Sequence, residues 1–137
     1  MKILVLHGPN LNLLGSREPE IYGKATLDDH VAVATKAAVA AGFSLDAFQS
    51  NSASELVDKI HDARAQYSAI IINPGAFTHY AWSIHDALST FSGPVLEVHI
   101  SNPNAREAWR HTSVVAPVAT GSIMGLGMLP VATGATT

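Results

Sequence analysis

A chain of 137 residues, 47% of them hydrophobic and 14% charged, is sized for one compact domain with a substantial core and leaves no comfortable room for two. Its formal net charge of -3 offers no basic surface for a phosphate backbone or an anionic bilayer, so neither nucleic acid nor membrane is expected as a partner. The lack of cysteine excludes disulfides, thiolate metal sites and thiol catalysis; the opening apolar run, stopped by His7, Gly8 and Pro9, is too short for a signal peptide, so a soluble, cytoplasmic single domain is expected over residues 1–137.

In chain order, Ile3 to Leu6 predicts a first strand, followed by a connection of 17 residues from Gly8 to Lys24. Strand-to-helix connections usually run to about 2 to 6 residues, which makes this one a lid candidate. A helix then opens at a capping box of Thr26 and Asp29, aligns Leu27, Val31, Ala34, Ala38 and Ala41 on one face, and stops at Gly42. Phe43 to Phe48 predicts the second strand. The next helix repeats the device with Ser52 and Glu55 as its box and Leu56, Ile60, Ala63 and Tyr67 as its stripe. Ala69 to Ile72 predicts the third strand, and the helix after it turns Ala81, Ile84, Leu88 and Phe91 inward and Ser83, Asp86 and Thr90 outward. Val95 to His99 predicts the fourth strand. Beyond it, Asn104 to Arg110 reads as a short helix, Val114 to Ala116 as a weak fifth strand, Gly121 to Leu129 as a Gly-rich helix closed by Pro130, and 131–137 as a loose tail.

Strands alternating with amphipathic helices imply an α/β fold: a flavodoxin-like, doubly wound parallel sheet of five strands in the order 2-1-3-4-5, with helices on both faces. Strands one, three and four then lie side by side, and ligands of such sheets bind beyond the carboxyl ends of the strands. Each of these three strands runs into an asparagine and proline turn, His7 to Asn10, Asn73 to Gly75 and Ser101 to Pro103. Proline fixes the backbone and glycine admits close approach, so the turns are stiff platforms that converge on one crevice. Three of the four arginines, Arg17, Arg106 and Arg110, fall in or near these segments, which favours an anionic small molecule. Glu97 and His99 are two apart on a strand and share a face, so the carboxylate can orient and charge the imidazole.

The segments GPNLNLLGSREPEIYG (Gly8 to Gly23), INPGAFTH (Ile72 to His79) and EVHISNP with the following AREAWRHTS resemble the signature segments of the type II 3-dehydroquinate dehydratases. The resemblance covers essentially the whole chain. It implies dehydration of 3-dehydroquinate to 3-dehydroshikimate in the shikimate pathway, by anti elimination through an enolate and without a cofactor. It makes Tyr22 the base, with Arg17 on the same lid, Asn10 the holder of a water that stabilises the enolate, and His99, oriented by Glu97, the acid. Asn73 with the backbone at Ile100 and Ser101 would receive the substrate carboxylate, and His79 and Arg110 the ring hydroxyls. Asp86 would reach a neighbouring subunit's site, since the family assembles as trimers grouped into a dodecamer. Ionising a phenol at pH 7 costs about 4 kcal/mol, and a cation within about 4 to 6 Å offsets part of it. Arg17, brought in by lid closure, is the expected cation.

Other chemistries fit less well. A type I enzyme would need a Schiff-base lysine in a barrel of about 250 residues, and none of Lys2, Lys24, Lys36 and Lys59 lies in the strand-end turns. A flavin carrier would need a phosphate cradle after the first strand, a signalling receiver an aspartate where Asn73 stands, and a serine hydrolase a nucleophile elbow that Gly121 to Gly125 does not spell. No histidine pair has H-x-x-x-H spacing, so no metal site is expected, and His30, His61 and His111 read as helix-surface or loop residues. The remaining alternative is a small-molecule binding protein that kept the fold and lost the chemistry.

Overall fold

The computed structural model describes residues 1–127. Five strands, β1 (Lys2–His7), β2 (Ser44–Gln49), β3 (Ala69–Asn73), β4 (Val95–His99) and β5 (Gly121–Met124), form one parallel sheet in the order β2-β1-β3-β4-β5. A single helical turn, α1 (Pro19–Tyr22), interrupts the long first connection; α2 (Leu27–Ala40), α3 (Ala53–Gln66) and α4 (Trp82–Ser89) are the crossovers.

The central strands are apolar on both faces because both faces are covered. Leu4, Leu6, Ile70 and Ile72 point to the side packed by Leu56, Ile60, Ile84 and Leu88 of α3 and α4. Ile3, Val5, Ile71 and Val98 point the other way, onto Ala34 and Ala38 of α2, whose small side chains let that helix approach closely. Each such aliphatic side chain, fully withdrawn from water, stabilises the fold by about 1.5 to 3 kcal/mol.

Local signals explain most helix starts. Thr26 Oγ1 accepts from Asp29 N and the Asp29 carboxylate accepts from Thr26 N, so the box at α2 closes in both directions. At α3 only half of the expected box forms. Ser52 Oγ accepts from Glu55 N, but the Glu55 carboxylate takes the Ser50 hydroxyl at 3.1 Å, and Ser50 Oγ accepts from Ser52 N instead.

Three expectations after β4 are corrected. Val114 to Ala116 is no strand: Val114 and Val115 are buried, but Pro117 in the 3-10 turn Ala116–Val118 removes a ladder donor, and an apolar run alone does not tell strand from packed loop. The fifth strand is Gly121–Met124, inside the segment read as a Gly-rich helix; Thr120 fixes its register by exchanging hydrogen bonds with Val95 at 2.6 and 3.0 Å. Leu129, Pro130 and the tail at 131–137 lie outside the described residues. Between Asn104 and Arg110 two 3-10 turns, Pro103–Ala105 and Ala108–His111, replace one helix, because Arg106 is extended between them.

Candidate active site

The ends of β1 and β3 are interlocked. Gly8 N donates to Asn73 O at 2.8 Å, and a Cβ on Gly8 would sit 2.3 Å from the carbonyl oxygen of Pro74. Only glycine fits this seam. Asn10 then turns through a left-handed conformation at φ 68°, its amide held by Asn51 Oδ1 at 3.0 Å. On β3, Asn73 Oδ1 accepts from Gly75 N at 3.2 Å, which fixes the amide plane.

These turns and the end of β4 enclose a cavity of about 70 Å³. Asn10, Arg17, Tyr22, Asn73, His79, His99, Ile100, Ser101 and Arg110 all line it, as does Arg106. Of the expected site residues, Glu97 lies directly behind the wall and Asp86 lies elsewhere. Asp86 is on the outward face of α4, its carboxylate 2.9 Å from His85 Nδ1 and its side chain 82% exposed, away from this chain's own cavity.

Glu97 is wholly buried on β4 and its carboxylate is 2.6 Å from His99 Nε2. It also accepts from the hydroxyls of Thr78 and Ser113, the latter at 2.8 Å. Burial works to raise its pKa, but the hydrogen bonds from His99, Thr78 and Ser113, together with the charge of His99, outweigh burial and hold the carboxyl below its usual value. With Nε2 committed to Glu97, His99 has Nδ1 left for a ligand. His79 places Nδ1 2.7 Å from Thr112 O, and burial lowers its pKa even though that carbonyl pulls it up. Arg110 stacks on Trp109 at 4.0 Å and reaches Glu107 with Nε at 2.5 Å.

Two arginines meet Tyr22 on the lid. The guanidinium of Arg17 lies over the face of the Tyr22 ring at 4.8 Å and turns toward Glu18 at 3.9 Å. The cation at the phenol oxygen is Arg106, whose Nη1 donates to Tyr22 Oη at 2.8 Å and to Ser101 Oγ at 3.2 Å. Leu11 and Leu14 bury against Ile100 beside Tyr22 and Leu27, pinning the lid's base.

Sequence reasoning missed several residues here. The sequence marks Arg106 as a charge near the site and assigns it no role; its offset from the fourth strand's turn is the available signal. Thr78 and Ser113, which hold Glu97, are small polar residues inside INPGAFTH and AREAWRHTS with no local signal of that role. His30 is a correction: it is 4% exposed, not on the helix surface, and its spacing with Leu27, Ala34 and Ala38 already put it on the inner face.

Among the described residues, no group of three or more histidine or acidic side chains is placed to hold a metal ion, and no helix is long and apolar enough to cross a membrane. The family model described as Dehydroquinase class II matches residues 1–135. The 3-dehydroquinate dehydratase of Halalkalibacterium halodurans is 53% identical over 93% of this chain and 88% of its own length. That of Bacillus subtilis is 54% identical over 90% of this chain and 84% of its own. The crystal structure of type II dehydroquinase from Propionibacterium acnes superposes with a TM-score of 0.95 at 42% identity, covering 98% of this chain and 93% of that one. With the family model matching residues 1–135 and a relative 53% identical over 93% of this chain, the chain belongs to the class II dehydroquinase family.

Proposed function

We propose that this chain is a dehydratase that converts 3-dehydroquinate to 3-dehydroshikimate in the shikimate pathway, by anti elimination and without cofactor, metal or Schiff base. One observation carries the reading. Tyr22, with an arginine on its hydroxyl, and His99, with a buried carboxylate on its far nitrogen, line the same small cavity. A base and an acid in one crevice are what an elimination next to a ketone requires.

In this reading the Tyr22 phenolate takes a proton from the carbon beside the ketone, and the electron pair passes to the carbonyl oxygen as an enolate. Arg106 supplies the positive partner that a phenolate needs at this position, and Arg17 covers the ring face. A water held by Asn10 steadies the enolate oxygen. Collapse of the enolate expels the β-hydroxyl, which takes a proton from His99 and leaves as water. Glu97, kept ionised by its hydrogen bonds, stabilises the imidazolium before transfer. Asn73, whose oxygen is occupied by Gly75 N, offers its amide donors to the substrate carboxylate beside the backbone of Ile100 and Ser101. His79 and Arg110 receive the ring hydroxyls.

Asp86 belongs to a second part of the proposal: trimers grouped into a dodecamer, in which it reaches a neighbour's cavity. Its exposure and its distance from its own cavity support that placement. Light scattering giving a stable monomer at working concentration would remove it.

The test of the activity is spectrophotometric, following the conjugated product. Wild-type protein should form it, and Tyr22→Phe should lose nearly all turnover without unfolding. Folded wild-type protein that binds the substrate and forms no product would favour a binding protein on the same fold.

A further inference from the structure

Behind the substrate cavity the chain buries two imidazoles that the proposed chemistry does not use. His7 ends β1 and His30 sits near the start of α2; they are 3% and 4% exposed. Among the described residues, no protein group meets Nε2 of either ring. Both rings line a cavity of about 10 Å³, together with Asn73 and His99 and the apolar side chains of Leu14 and Ile100.

A cavity of that size admits one water and little else. Two imidazole nitrogens are too few to define a transition-metal site, and burial lowers the pKa of both rings. A neutral imidazole presents a donor or an acceptor at Nε2 according to its tautomer. Water carries two of each and satisfies every combination, whereas either nitrogen left unmet would carry its full desolvation penalty.

We propose that His7 and His30 clasp one buried water beneath the strand ends, and that this polar layer positions His99 from the side opposite the substrate. His99 and Asn73 line both cavities and so form the wall between them. His7 and His30 touch no substrate; they are positioning residues. Their kinetic role rests on the dehydratase reading, while the water site does not.

Two measurements test the proposal. A crystal structure of the whole wild-type chain at atomic resolution should show one ordered water within about 3.2 Å of both Nε2 atoms. A dry cavity, or an ion in place of the water, overturns the site. In steady-state assays of folded variants, His7→Leu and His30→Leu should each lower kcat about tenfold with KM changed less than about twofold, the signature of a displaced acid rather than lost binding. His7→Gln and His30→Gln, which return a polar atom near the Nε2 position, should recover most of the rate. Leucine variants with wild-type kcat, or glutamine variants as slow as the leucine ones, overturn the positioning role. A wild-type chain without turnover would refute the dehydratase reading instead, and the electron density would still decide the water.

Discussion

The proposed acid and the proposed base are held in opposite ways. Glu97 and His99 belong to β4, are 0% and 7% exposed, and are tied by side-chain hydrogen bonds to Thr78 and Ser113 from two other segments. Tyr22 and Arg17 ride on the segment between β1 and α2, half-buried, with Leu11 and Leu14 as its apolar foot. The acid is therefore part of the fold's core, and the base is docked on it. Replacing the base should alter chemistry and spare stability; replacing the acid's support should damage both.

Tyr22→Phe should give the largest effect, a loss of roughly 10³- to 10⁴-fold in kcat with the melting temperature unmoved. A melting temperature several degrees lower would mean that the lid is as integral to the fold as β4. Glu97→Gln should come next. It removes the charge from a buried, fully bonded carboxylate, so both kcat, by about 10²-fold, and stability, by about 3 kcal/mol, should fall in paired kinetic and denaturation measurements.

The core side should also titrate. Burial, assisted by His30, lowers the pKa of His7 from 6.5 to about 4. The unfolded chain binds that proton more readily than the folded one, so the stability is present above pH 6.5 and is lost as pH falls toward about 4. The loss from His7 is on the order of 3 kcal/mol, measurable as a slope in urea midpoints against pH. Glu97, held below its ordinary 4.5, contributes stability that is lost only below that pH, so the slope above it belongs to histidines. His7→Leu should make it shallower, with His30 and His79 still contributing.

The smallest effect separates the two lid-facing arginines. Arg106→Leu should lower kcat about 10²-fold, whereas Arg17→Leu, which removes a contact to the ring face and not to the oxygen, should cost about tenfold. Equal losses would put both cations on the phenol during the reaction.

How much of this was legible in the sequence follows the same divide. β1 to β4, the three crossover helices and the sheet order could be read because strand ends, caps and apolar periodicity are local signals. The cluster of strand-end residues could be read because topology alone brings those turns together. After β4 the chain is organised by tertiary contacts: Val114 and Val115 look like a strand but pack as a loop, while Gly121–Met124 looks too glycine-rich and still completes the sheet. The hydrogen-bond partner of the Tyr22 hydroxyl is set by the same tertiary organisation. Arg17 is 5 residues away in sequence, but Arg106, 84 residues away, is the one the fold delivers to the oxygen.

The seam between Gly8 and Pro74 bears on how mutational maps of this protein should be interpreted. A side chain at position 8 has no direction in which to relax, since the obstacle is a main-chain carbonyl 2.3 Å from where its first carbon would sit. A growth-based saturation screen would therefore score Gly8 as intolerant as Tyr22, though it contributes no group to the reaction. Abundance and turnover scored separately would pull the two apart, with Gly8 variants scarce and Tyr22 variants plentiful but silent.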